Sequence, residues 1–201
     1  MSEQDYYYTI EKAAVAEFKD RDSKFIAYAF PIEAVADFKK RLDELKKEHP
    51  KAVHHCFAYR IGLDGNVFRV SDDGEPSGTA GKPILGQADS KQLTNIAIIV
   101  VRYFGGTLLG VPGLIKAYKT SASMALQVTP IVQKQVEVIY KIQFDYTQLN
   151  EVMMIIKQNN CRVVKQELQL FCVMDIGIPK GSLEICLLKF GNIYGLQSAK
   201  K

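Results

Sequence analysis

One stretch constrains this chain more than any other: residues 71–81 read Ser-Asp-Asp-Gly-Glu-Pro-Ser-Gly-Thr-Ala-Gly. Three acidic residues and three glycines this close together favour turns with unusual backbone angles over a continuous helix or strand. Lys82 and Pro83 follow, and a proline in the first turn is typical of a helix start. The stretch therefore predicts a fixed loop that leads from a strand into a helix.

A second glycine-rich stretch lies about twenty residues further on, where residues 102–113 read Arg-Tyr-Phe-Gly-Gly-Thr-Leu-Leu-Gly-Val-Pro-Gly. It connects the apolar, strand-like run 95–101 to the helix-like run 114–128, whose small residues would allow close packing on a sheet. Simple connections rarely need this many glycines, so the two loops indicate a built site. We expect both loops to leave parallel elements of one sheet and to meet at one edge.

Composition places the chain among ordinary proteins with a packed core. Its 201 residues are 47% apolar and 24% charged, enough for one large or two small domains. No apolar run approaches the roughly 20 residues that span a bilayer, and the acidic residues 1–5 do not resemble a signal peptide. The four cysteines show no Cys-x-x-Cys spacing. We therefore expect a cytoplasmic protein with reduced thiols and no membrane partner.

The pattern of elements restarts after Pro130, which predicts domains at 1–130 and 131–201. The first begins with a hairpin around residues 20–23 and a helix from Pro31 to about Glu48, one face of which packs on a sheet. The second has the order strand, helix, strand, strand, helix, which predicts helices on one face of a sheet. Residues 1–130 carry 17 basic and 16 acidic side chains, whereas residues 131–201 carry 9 basic and 6 acidic ones. The second domain could therefore contact a polyanion.

The acidic stretch has two interpretations. Asp72, Asp73 and Glu75 are oxygen ligands of the kind that Mg²⁺ accepts, usually together with water and a phosphate. Alternatively, their carboxylates accept hydrogen bonds from backbone amides of the loop, which makes them chiefly structural. The second interpretation is favoured because no other acidic cluster would complete a metal site. We predict no cofactor, with Mg²⁺ as the possible exception.

The basic residues beside the glycines also have two interpretations. Residues 78–82 lack the full phosphate-loop pattern, because Pro76 and Pro83 occupy two required positions. Lys82 could still face an anion. The second loop has glycines before a helix N-terminus, with Arg102 and Lys116 on either side, which is typical of an anion cradle. Close packing of a strand on a helix explains the same glycines, and no complete catalytic constellation is found.

Both glycine stretches resemble the IMPACT/YigZ family, through residues 71–84 and 101–110 and through the upstream segments 23–26 and 49–60. The resemblance covers the whole chain and is most specific over about 20–120. It implies an α+β protein. Its first domain would be a two-layer α/β sandwich similar to the second domain of ribosomal small-subunit protein five. Its second would be ferredoxin-like, similar to the fifth domain of elongation factor G.

The resemblance implies a non-catalytic binding protein linked to translation, since eukaryotic members compete for the ribosome-associated activator of the general-control kinase. The expected partner is the ribosome, RNA or a translation-associated protein, and not DNA, with contacts through the second domain, Arg102 and Lys116. The alternative is a metal-dependent enzyme that acts on a phosphorylated or nucleotide substrate. Pro112 and Lys116 depart from the usual family pattern and would weaken an anion cradle. The candidate binding residues are Asp72, Asp73, Glu75, Ser77, Thr79, Lys82, Arg102, Tyr103, Gly105, Gly106 and Lys116.

Overall fold

A computed structural model describes residues 5–201, which divide into two compact units. The first unit comprises residues 7–134, and the second comprises residues 135–201 together with Asp5 and Tyr6. The division falls after residue 134, rather than after residue 130, because strand β7 (Ile131–Gln135) pairs with strand β1 (Tyr6–Ile10). None of the helices within residues 5–201 is long and apolar enough to cross a membrane.

The first unit is built on a five-stranded sheet with the spatial order β2-β3-β6-β4-β5. Every neighbouring pair in this sheet is antiparallel. The predicted hairpin is present, since Arg21 and Asp22 turn the chain with positive φ angles of 44° and 63°. The strands are β2 (Ala14–Asp20), β3 (Ser23–Pro31), β4 (His54–Ile61), β5 (Val67–Ser71) and β6 (Ile96–Tyr103).

Helices cover both faces of this sheet, so the first unit has three layers and not the two that the sequence predicts. The helices are α1 (Val35–Glu48), α2 (Gly81–Asp89) and α3 (Gly110–Gln127). Alternate residues of β4 belong to different cores: Cys56 and Ala58 pack with α2 and α3, whereas Phe57 and Tyr59 pack with α1. A strand that is apolar on both faces must be covered on both, which the two-layer prediction did not take into account.

The second unit has the order β-α-β-β-α-β, with a four-stranded antiparallel sheet arranged β11-β8-β10-β9. The closing strand β11 is absent from the sequence prediction. Both helices pack on the sheet face that carries Ile142 and Met174, as predicted for a unit with helices on one face. The elements are β8 (Glu137–Asp145), α4 (Leu149–Gln158), β9 (Arg162–Glu167), β10 (Phe171–Pro179), α5 (Leu183–Gly191) and β11 (Gln197–Lys200).

Candidate functional site

The acidic loop (residues 72–80) and the second glycine loop (residues 104–109) leave the same edge of the first unit's sheet. Strands β5 and β6 lie on either side of β4 and are both antiparallel to it, so they run in the same direction. The expected common edge is therefore present, although the sheet is antiparallel and not parallel. The two stretches meet directly, because Glu75 of the acidic loop contacts Arg102 at the end of β6.

Asp72 organises the acidic loop. Its carboxylate accepts hydrogen bonds from the backbone amides of Gly78, Ala80 and Gly81 at 2.8, 3.0 and 2.8 Å. Burial alone would raise the pKa of Asp72, but these three amides together with Lys82 outweigh it, and the pKa is lowered. The carboxylate is thus ionised at neutral pH and fully engaged with the loop and the first residue of α2, which is the structural role expected of it.

Asp73 fastens the acidic loop to strand β4. Its carboxylate accepts a hydrogen bond from the backbone amide of His55 at 2.6 Å, and its carbonyl oxygen lies 2.7 Å from Nδ1 of His54. The residue adopts a positive φ of 43°, a conformation that Asp tolerates better than most side chains. Asp73 therefore also has a structural role.

Glu75 differs from the two aspartates because its partners are side chains and not amides. Its Oε1 accepts a hydrogen bond from Nη1 of Arg102 at 2.6 Å and another from the hydroxyl of Tyr118 at 2.7 Å. Nε2 of His54 lies 3.8 Å from the same oxygen. Both members of the ion pair are buried, since Glu75 is 9% and Arg102 5% exposed. The acidic loop is thereby locked to the end of β6 and to helix α3.

The burial of Arg102 corrects the prediction that it is available to an anionic partner. Its register opposite His54 places its side chain on the face covered by α3. The guanidinium carbon lies 5.4 Å from the centre of the Phe25 ring and 5.6 Å from that of Phe104. Glu75 already neutralises its charge, so Arg102 is an internal anchor and not a contact for RNA phosphate.

Tyr118 and Cys56 complete the buried cluster, although neither is among the sequence-predicted site residues. The Cys56 thiol lies 3.2 Å from the Tyr118 hydroxyl and 3.0 Å from the carbonyl oxygen of Asp72. Burial raises the pKa of both groups far above their usual values. At neutral pH the cysteine is a protonated thiol, which is a poor nucleophile. The one sequence signal for a buried Tyr118 is its position beside Ala117 and Ser121 on the sheet-facing side of α3.

The second glycine loop is held against the turn between β2 and β3. A Cβ atom on Gly105 would lie 2.0 Å from the carbonyl carbon of Asp22, so only glycine allows this approach. The amide of Gly105 donates a hydrogen bond to Oγ of Ser23 at 3.1 Å. Gly106 has a φ of +88°, which is strained for other residues. Tight packing, the alternative to an anion cradle, accounts for Gly105, whereas Gly106 is required by its backbone conformation and has open space around it.

The remaining predicted site residues do not form one cluster. Thr79 is buried, and its hydroxyl donates to the carbonyl oxygen of Pro76 at 2.7 Å. Contrary to expectation, Tyr103 does not share a site with Arg102, because neighbouring strand residues point to opposite faces of the sheet. Its hydroxyl lies 2.8 Å from Nδ1 of His49 on the α1 side. The exposed predicted residues are Asp73, Ser77, Lys82, Gly106 and Lys116.

No group of three or more His, Cys, Asp or Glu side chains within the described part of the chain is arranged to hold a metal ion. The acids proposed as Mg²⁺ ligands are engaged elsewhere: Asp72 and Asp73 with amides, and Glu75 with Arg102. The geometry therefore favours a structural role for the acidic loop.

Pro112 lies in the first turn of α3, where its missing amide costs the helix nothing.

The second glycine loop and the first two turns of α3 present an apolar and basic surface to solvent, which we call the loop–helix surface. Val111 and Ile115 are four residues apart and lie on one face of the helix, and Leu108 is 81% exposed at the tip of the loop. Its members are Phe104, Leu108, Val111, Ile115 and Lys116.

Comparison with known proteins places these features in a family. The model of the Impact N-terminal domain matches residues 21–126. A Haemophilus influenzae protein described as an IMPACT family member is 36% identical over 180 residues, covering 88% of this chain and 87% of its own length. The IMPACT family member YigZ of Escherichia coli is 35% identical over 161 residues, or 79% of each chain. A crystal structure described as that of an hypothetical protein has a TM-score of 0.76 at 30% identity and covers 97% of both chains.

Proposed function

Because the chain belongs to the IMPACT family, we propose that it is a non-catalytic binding protein that acts on the translation apparatus. The link to translation comes from the family, whose eukaryotic members compete for a ribosome-associated activator. The expected partner is the ribosome or a translation-associated protein or RNA. We further propose that the partner binds at the loop–helix surface.

The observation that carries this proposal is the exposure of apolar side chains on the loop–helix surface. Single exposed apolar residues are common in folded proteins and need no explanation. Here Phe104, Leu108, Val111 and Ile115 are all exposed within twelve consecutive residues of one loop and the helix it enters. Exposed apolar residues gathered in this way are typical of an interaction site. Lys116 adds a positive charge to the same surface.

The buried cluster beneath this surface supports binding over catalysis. Each acid of the acidic loop is satisfied by an internal partner, and the Arg102 side chain that could have held an anion is paired with Glu75. The Cys56 thiol is protonated at neutral pH and is buried. These groups hold the two loops in one conformation, and a fixed conformation lowers the entropic cost of binding.

The finer fold assignments belong to the same proposal. The order β-α-β-β-α-β with strands arranged β11-β8-β10-β9 supports a ferredoxin-like second unit. We propose that this unit is similar to the fifth domain of elongation factor G. We also propose that the sheet of the first unit is similar to the second domain of ribosomal small-subunit protein five, with α1 as an additional layer.

The test is capture of partners from native lysate by the full-length tagged chain, with and without RNase. The variant Leu108→Ser removes the most exposed apolar side chain of the loop–helix surface. We expect the wild type to enrich ribosomal proteins or translation factors and Leu108→Ser to weaken their binding by about tenfold, as for a central interface residue. Enrichment that RNase abolishes identifies an RNA-mediated contact.

Leu188→Ser is the matched control, because Leu188 is 70% exposed but lies on α5 of the second unit. It makes the same chemical change away from the loop–helix surface and should bind like the wild type. The proposal is wrong if no translation component is enriched, or if Leu108→Ser and Leu188→Ser capture the same proteins in equal amounts.

A further inference from the structure

A cavity of about 440 Å³ lies in the second unit, where strands β8, β10 and β11 border it. Gln143 of β8 lies directly opposite Val173 of β10 and Gln197 of β11, so these three residues share the sheet face that α4 and α5 leave uncovered. The segment at Tyr194 and Gly195 closes one side. The volume is suited to a small planar group.

Two aromatic side chains line this cavity and are open to solvent. Phe171 is 76% exposed at the start of β10, and Tyr194 is 96% exposed in the turn before β11. Within residues 5–201 neither ring stacks on another aromatic ring. Exposed aromatic rings gathered at one cavity are typical of a binding site. Such rings provide stacking surfaces for planar ligands.

The polar groups of the cavity match the edge of a planar ring. The side-chain amides of Gln143 and Gln197 have no hydrogen-bond partner among the described residues, so each offers a free donor and a free acceptor. Asp145 uses Oδ1 to accept from the amide and hydroxyl of Thr147, and these bonds lower its pKa. Its Oδ2 is a charged acceptor that remains for a ligand.

Gln148 holds the two sides of the cavity in place. Its Oε1 accepts from the backbone amide of Asp145 at 3.2 Å, and its Nε2 donates to the carbonyl oxygen of Tyr194 at 2.6 Å. The residue thereby links the end of β8 to the turn before β11. The Tyr194 segment is fixed by its backbone, while its ring remains free to stack.

We propose that this cavity binds a nucleobase that carries an exocyclic amino group, stacked on Phe171 and Tyr194. The amino group donates to Oδ2 of Asp145, and the amides of Gln143 and Gln197 pair with the rest of the base edge. An aromatic side chain of a peptide fits less well, because its apolar edge would leave the two amides and the carboxylate desolvated and unpaired. A phosphate is repelled by Asp145, so the base and not the backbone enters.

The phosphate of the bound nucleotide lies on the side of Lys141. This lysine follows the same face of β8 two residues before Gln143, about 7 Å away along the strand. Its side chain is exposed. The base can come from a free nucleotide or from single-stranded RNA, and both sources have the same chemistry. The site is in a different unit from the loop–helix surface, so it goes beyond the function proposed above and can be tested apart from it.

The test is a titration of the isotopically labelled full-length chain, followed by amide chemical shifts and by calorimetry. The probes are CMP, UMP and single-stranded oligonucleotides of cytidine or uridine. We expect the side-chain amide signals of Gln143 and Gln197 to shift with CMP. UMP should bind several-fold more weakly, because it has no amino group for Asp145. Oligonucleotides that bind much more tightly than CMP, with salt dependence, identify RNA as the source. Oligonucleotides that bind no more tightly than CMP identify the free nucleotide as the source of the base.

The variants Phe171→Ala and Tyr194→Ala should each weaken binding of CMP by about fivefold to a hundredfold, the range measured for loss of one stacking ring. Asp145→Asn should keep the loop, since Asn also caps it, but should remove the preference for CMP over UMP. Tyr146→Ala is the control, because Tyr146 is exposed in the same unit but does not line the cavity.

The proposal is overturned if neither nucleotides nor oligonucleotides shift the two amide signals. It is also overturned if Phe171→Ala and Tyr194→Ala bind CMP as the wild type does. Loss of partner capture by Leu108→Ser is independent of both results, because that variant changes only the first unit. Failure of the cavity proposal therefore leaves the proposed function standing, and the reverse is also true.

Discussion

The buried ion pair between Glu75 and Arg102 allows a quantitative test of the structural role of the acidic loop. Replacing Arg102 with Met keeps apolar contact with Phe25 and Phe104 but leaves the Glu75 carboxylate buried with Tyr118 as its close donor. Only 3% of the Glu75 side chain and 6% of the Arg102 side chain are exposed, so solvent cannot compensate. Removal of one partner of such a pair costs about 3–5 kcal/mol, a large part of the roughly 5–15 kcal/mol that stabilises a domain.

The double variant Arg102→Met/Glu75→Gln should recover much of this loss. It removes both charges, keeps an acceptor for the Tyr118 hydroxyl, and eliminates the buried Nε of Arg102, which has no hydrogen-bond partner among residues 5–201. We expect a coupling free energy of at least about 2 kcal/mol between the two positions.

Urea unfolding monitored by far-UV circular dichroism measures all four proteins of this cycle. The Arg102→Met variant should also melt about 10 °C below the wild type, since 1 kcal/mol corresponds to roughly 2–4 °C for a chain of this size. The reasoning is refuted if the single variants lie within about 0.5 kcal/mol of the wild type, the range of ordinary surface substitutions. Strict additivity of the two losses in the double variant would refute it as well.

Three further predictions concern individual residues. Asp72→Asn should destabilise the chain by about 1–3 kcal/mol at neutral pH. Because the folded-state pKa of Asp72 is lowered, this difference in stability should shrink below about pH 4. Denaturation at several pH values measures it. Gly105→Ala should cost at least about 2 kcal/mol by forcing Asp22 away, whereas Gly86→Ala, in open space on α2, should stabilise by about 0.4–1 kcal/mol in the same denaturation assay. Burial raises the pKa of Cys161 to about 12, so alkylation followed by mass spectrometry should be slow in the native protein at neutral pH and fast after unfolding.

Much of the local structure could be predicted from the sequence because it depends on local chemistry. The acidic loop was expected to use its carboxylates on backbone amides, and Asp72 does so with amides six to nine residues away. The hairpin at Arg21 and Asp22 follows from turn residues in the same way. The first turn of α1 was misplaced, because Pro31 ends strand β3 and the helix begins at Val35.

The features that depend on distant residues could not be predicted. Arg102 follows an apolar strand and looks solvent-exposed in sequence, yet its partner Glu75 is 27 residues away and the Tyr118 hydroxyl reaches Glu75 across 43 residues. Only the packing of α3 decides that this end of β6 is buried. The cavity of the second unit depends on strand β11, whose four residues carry no apolar pattern.

Sedimentation of ribosomes from native lysate, with the full-length chain added, tests the central claim most directly. We expect that the wild type sediments with ribosomes at low salt, that Leu108→Ser does so about tenfold less, and that Leu188→Ser behaves as the wild type does. Absence of the wild type from the ribosomal pellet at low salt, or equal amounts of all three proteins there, would contradict a translation partner at the loop–helix surface.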